Sequence, residues 1–132
     1  MSTQTLTQLE VKPFKALRYH VENGLDPNLL TSQPYDKISQ EEAKDYFEKS
    51  PYNVVRVIRD LPYDQGAGLD FYQRSQNHLK QWQDQKILIQ EKQPCFYVYR
   101  QTFNYLQHQR TRIGFVGLML LHDYQDELFY CH

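Results

Sequence analysis

Ser39-Gln40-Glu41-Glu42 opens a helix and Pro51 closes it. In this capping box the Ser39 hydroxyl serves the amide of residue 42, and the Glu42 carboxylate reaches back to the Ser39 amide. Ala43, Tyr46 and Phe47 supply the apolar stripe of the helix, which stops near Ser50 because the residue before a proline avoids helical angles. Everything else must be arranged around this fixed helix.

On its C-terminal side, Val54-Val55-Arg56-Val57-Ile58 is β-branched and almost continuously apolar, and it is expected to be a strand buried on both faces. A second helix is expected from about residue 70 to 85, with Tyr72, Leu79 and Trp82 on one face. Residues 87–89 begin a turn or short strand. Residues 95–103 and 111–121 read as a β-hairpin joined by a long polar connection, with Phe96, Val98 and Arg100 alternating against Tyr97, Tyr99 and Gln101. A final extended segment is expected over 126–132.

Before the first helix, residues 1–10 are polar and expected to fray. Residues 11–19 read as a strand or extended arm, and Pro13 favours an edge. Residues 20–38 read as a long loop of the kind that often carries function. These elements give an α+β (mixed α/β) fold with a single mixed β-sheet and two main helices, in one domain over 11–132.

Composition bounds the function. With 15 basic and 16 acidic residues in 132, the formal net charge is -1, which argues against a broad nucleic-acid surface. No apolar run is long enough to span a bilayer and no secretory leader is visible, so a cytoplasmic protein without membrane partners is expected. The two cysteines, Cys95 and Cys131, make no disulfide framework. The histidines show no metal-ligand spacing, so neither zinc nor haem is expected.

Several local features bear on chemistry. Gly66-Ala67-Gly68 lacks the spacing of a phosphate-binding loop and reads as a simple connection. Cys95, with no base beside it, reads as a small core residue. His78 reads as a surface residue. His108, Arg110 and Arg112 make a basic hairpin tip that reads as solvated. Asp36, in Pro34-Tyr35-Asp36-Lys37-Ile38, lies just before the helix N-cap, where amides and the positive dipole end gather. It either closes an Asx-type turn, with Tyr35 packed as a staple, or stands beside a bound anion. Arg56 interrupts an apolar run and needs a partner, either Asp36 or Glu42 or a ligand anion.

Four strings in order, VKPFKALRY, QPYDKIS, SPYNVVRVI and the stretch from PCFYVYRQTF to GFVGLMLL, resemble the N-terminal part of the family catalogued as domain of unknown function 1015. Gln33 replaces the first proline of that family's double proline, and Lys37 replaces a valine. In the family a His-Glu pair follows the hairpin; His132 matches that His, and the chain stops there. The resemblance therefore implies the N-terminal portion of a longer protein.

Remotely, the family is similar to the ParB/sulfiredoxin-like superfamily, which includes kinases of free serine. That kinship implies a nucleotide-dependent kinase of a small hydroxyl compound such as free serine, using ATP or ADP and Mg²⁺, with this portion alone inactive. Asp36 and His132 would then be catalytic, and Arg18, Tyr35 and Arg56 would bind phosphate or ligand. No protein-built metal site is implied. The alternative is a non-catalytic nucleotide- or protein-binding regulatory module whose tyrosine-rich hairpin is the contact surface. Truncation at His132 would leave open apolar surface that the missing part covers, which would favour self-association.

Overall fold

The computed structural model describes residues 10–64 and 68–121. In chain order the elements are β1 (Val11–Lys12), β2 (Leu17–Tyr19), a single 3₁₀ turn (Val21–Asn23), α1 (Pro27–Leu30), α2 (Gln40–Lys49), α3 (Val55–Ile58), α4 (Phe71–Asp84), β3 (Leu88–Gln90), β4 (Tyr97–Tyr105), β5 (His108–Val116) and β6 (Leu118–Met119). The class is α+β. Among the described residues the strands pair as three antiparallel two-stranded ladders, β1–β6, β2–β3 and β4–β5, in place of the single mixed sheet expected. No helix there is long and apolar enough to cross a membrane.

The chain divides into two compact units. The central unit, Leu17–Gln90, holds the helices and most of the buried residues. Ile38, Ala43, Val55 and Leu61 form its core, with Tyr46, Phe47, Ile58 and Tyr63 packed around them. Each fully buried aliphatic side chain contributes roughly 1.5–3 kcal/mol of transfer free energy. Both long helices start on reciprocal caps. Ser39 and Glu42 close the box on α2, as expected, and Asp70 and Gln73 make an equivalent one on α4.

Helix α4 ends with Lys86 at φ 60°, in the left-handed region. The Ile87 amide donates to the Trp82 carbonyl and the Lys86 amide to that of Gln83, the two bonds of a Schellman motif. Residues 87–90 then turn back so that β3 pairs with β2, Arg18 lying opposite Ile89.

Two expectations in this unit are corrected. The run Val55–Ile58 is a short helix, not a strand. Its apolar residues have two sides to fill at a spacing of three: Val55 and Ile58 belong to the core cluster, while Val54 and Val57 line a hollow with Trp82 and Leu88. Asn53, fully buried, accepts from the Val55 amide through Oδ1 and starts the turn. The segment 20–38 also contains helical turns. Asp26 accepts from the Asn28 amide and Pro27 occupies the first position of α1.

The second unit gathers 10–16 with 91–121. Strands β4 and β5 pair over nine residues, from Tyr97 opposite Val116 to Tyr105 opposite His108. The expected long connection is a two-residue turn, Leu106-Gln107, with φ of 47° and 64°. Two successive positive φ values give the type I′ geometry whose twist matches that of paired strands. The hairpin base is fastened through Tyr97. Its hydroxyl accepts from the Ala16 amide at 2.8 Å and donates to the Phe14 carbonyl at 3.0 Å, with the two rings edge to face. Phe14 and Cys95 form a further backbone bridge, and the Cys95 thiol, partly buried, lies 3.3 Å from the Gln93 carbonyl.

Candidate functional site

The strongest polar constellation in the central unit joins Arg56, a candidate from sequence, to Asp64 and His78, which the sequence did not mark as site residues. It is built where α2, α3 and α4 meet. Arg56, on α3, lays its guanidinium over the Phe47 ring at 3.4 Å. Its Nη2 donates to the Phe47 carbonyl at 2.9 Å and its Nε to the Ser50 carbonyl at 3.4 Å. These are carbonyls of the last turn of α2, where a cation complements the helix dipole. Burial pulls the guanidinium below its ordinary pKa, opposed by the carboxylate of Asp64, whose Oδ1 lies 3.9 Å from Nη1. The second Asp64 oxygen meets His78 Nε2, on α4, at 2.9 Å, and the His78 ring lies against Trp82. The network thus runs from the end of α2 to the middle of α4.

The sequence signal for it was weak. Asp64 follows a proline in a turn, and a lone histidine on a polar helix carries no spacing pattern. Within this region the buried Tyr63 hydroxyl has no hydrogen-bond partner among the described residues, and burial raises its pKa. Arg56 therefore finds its carboxylate in Asp64, neither in Asp36 nor in Glu42. Glu42 is held in the capping box, whose amide and hydroxyl donors at Ser39 keep its carboxyl below the usual range.

The other expected residues lie apart from this network. Tyr35 and Asp36 sit on an exposed turn closed by the Lys37 amide on the Pro34 carbonyl. The Tyr35 carbonyl accepts from Arg59, and no described residue bonds to the Asp36 carboxylate. Arg18, on β2, donates to Glu22 at 3.1 Å and to the Tyr19 carbonyl at 3.2 Å, and it holds the Glu22 carboxyl below its ordinary pKa. Arg18 also lines an apolar hollow of about 200 Å³ with Leu17, Tyr19, Val54, Val57, Leu79, Trp82 and Leu88. Arg56, Tyr35 and Asp36 are not among its walls. His132, Cys131 and Gly66-Ala67 lie outside the described residues. Among those described, no group of three or more His, Cys, Asp or Glu side chains could hold a metal ion.

In the second unit the charged and aromatic residues lie on the hairpin. Directly opposed residues of an antiparallel pair share a face. One face carries Val98 opposite Phe115 and Arg100 opposite Ile113; the other carries Tyr99 opposite Gly114, Gln101 opposite Arg112 and Phe103 opposite Arg110. Both faces are largely exposed.

A family model described as "Protein of unknown function (DUF1015)" matches residues 11–132. No curated protein and no solved structure matches the chain.

Proposed function

The chain belongs to the DUF1015 family of proteins of unknown function, and from that premise we propose that it works by binding, with the β4–β5 hairpin as its contact element. One observation carries this reading. Val98, Ile113 and Phe115 share one hairpin face and are 73%, 65% and 62% exposed. A lone two-stranded ribbon is marginal in water, and an apolar face on it calls for a cover. The face holds no acidic residue and runs from Val98 and Phe115 at the base through Arg100 and Ile113 to Thr102 and Thr111 toward the tip. An identical face is one cover that needs no second gene product, and the occupant proposed is a second copy of the chain. Light scattering tests it. The double variant Val98→Ser/Phe115→Ser is expected to lower the weight-average mass at high concentration. A wild-type chain that scatters as a monomer at every concentration refutes the reading.

A second reading, transfer of phosphate from ATP or ADP to a small hydroxyl compound such as serine, is favoured by the Asp36 carboxylate, which bonds to no described residue and stands three residues ahead of the Ser39 cap of α2. Arg56 supports it less, since its guanidinium is engaged by α2 carbonyls and Asp64. Phosphoserine formed with nucleotide and Mg²⁺, and lost in Asp36→Asn, would favour this reading over the first.

A further inference from the structure

We infer that the second face of the β4–β5 hairpin binds single-stranded nucleic acid. The inference rests on the hairpin being a contact element and assigns the face that the second copy leaves open. Residues Lys92 to Leu121 contain no Asp or Glu, while the chain as a whole carries 16 acidic residues. Its near-neutral total charge therefore hides a cationic element. Arg110 and Arg112 project from β5 on the face that also carries Tyr99, Phe103 and Tyr105. No described carboxylate pairs with either arginine. The short type I′ turn is what places them there: a long connection would have left them in a solvated tip, whereas the tight one puts them in register with aromatic partners.

The geometry suits bases as well as phosphates. The Tyr99 ring occupies the space above Gly114, where a Cβ would lie 2.4 Å from its atoms. One side of the ring is thus backed by the sheet and the other faces solvent. Arg112 donates to Gln101 Oε1 through Nε at 3.1 Å and Nη2 at 2.7 Å, which fixes the guanidinium plane, and its centre lies 6.0 Å from the Phe103 ring. Tyr105 is 59% exposed at the end of the row. Alternate strand residues are about 6.6–6.8 Å apart. Tyr99, the Gln101–Arg112 pair, Phe103 and Tyr105 therefore form a row of planar groups at that pitch. Rings and guanidinium planes in a row beside phosphate-neutralising arginines are the general means of holding unpaired bases without reading their sequence. An acidic peptide would use the arginines but not the rings, and a duplex would hide its bases from both.

Fluorescence anisotropy with a labelled mixed-sequence single-stranded RNA, its DNA counterpart, the corresponding duplex and a labelled polyglutamate peptide tests this. Both single strands are expected to bind more tightly than the duplex and the peptide. Phe103→Leu is expected to weaken single-strand binding roughly 5- to 150-fold. Arg110→Gln/Arg112→Gln is expected to reduce the slope of log affinity against log salt by about 1.4, for two phosphate contacts on a single strand. Circular dichroism and light scattering of the same variants check that the fold and the self-association of the opposite face are retained. Equal or tighter binding of duplex or polyglutamate overturns the inference, as does no binding at low salt or no effect of Phe103→Leu. Those outcomes leave the contact role of the Val98 face standing, because its scattering readout is separate.

Discussion

At the scale of single residues, Asn53 and Tyr19 hold the central unit by hydrogen bonds that sequence reading passes over. Asn53 is fully buried, and its amide donates to the Leu29 carbonyl at 2.9 Å and the Thr31 carbonyl at 3.1 Å while accepting from the Val55 amide. Asn53→Ala would leave the buried Val55 amide without its acceptor and remove the ties to the Leu29 and Thr31 carbonyls. Because an unsatisfied buried group costs about 1–3 kcal/mol, a loss of about 2 kcal/mol is expected. Urea unfolding measures it: the midpoint should fall with the slope unchanged, and a loss under about 0.5 kcal/mol, as at a surface position, would contradict the role. The Tyr19 hydroxyl donates to the Tyr52 carbonyl at 2.6 Å, and burial pushes its pKa from 10.0 up to about 12. Between those values the unfolded phenol has lost its proton while the folded one keeps it, so stability falls as pH rises through that interval. Tyr19→Phe should lower stability at neutral pH by about 1 kcal/mol and flatten the alkaline decline. An alkaline decline identical to that of the parent would place the titration elsewhere.

At the scale of elements, the legible parts were those written in local chemistry. The Ser39–Glu42 box, Pro51 after α2 and the span of α4 follow from capping and periodicity, and so does the existence of the hairpin. What was missed depends on distant partners. Val54 to Ile58 has strand propensity, but burial on two sides at a spacing of three, with Asn53 supplying the first acceptor, makes it helical. The hairpin turn was hidden because Leu106-Gln107 lacks the Asn-Gly chemistry its backbone requires. A left-handed angle costs a non-glycine residue roughly 1–2 kcal/mol. Leu106→Asn/Gln107→Gly is therefore expected to raise the thermal midpoint, by about 1 kcal/mol of added stability. An unchanged or lower midpoint would show that Leu106 contributes more by contact than its backbone costs. The site fared as the elements did. Tyr35 and Asp36 were found together on one turn because they are adjacent in sequence, whereas the Arg56–Asp64–His78 network joins three elements and left no spacing to read.

At the scale of the whole molecule, the two compact units differ in character. The central one encloses its apolar residues around Val55 and Trp82, and its arginines are engaged with carbonyls and carboxylates. The other displays its apolar and aromatic residues on a ribbon with a face on either side. Backbone amide exchange across residues 98–115, compared at low and high chain concentration, reads binding by that ribbon. Protection in that segment is expected to rise with concentration while residues 40–60 and 70–90 exchange at constant rates; exchange in the hairpin that is independent of concentration would contradict the claim.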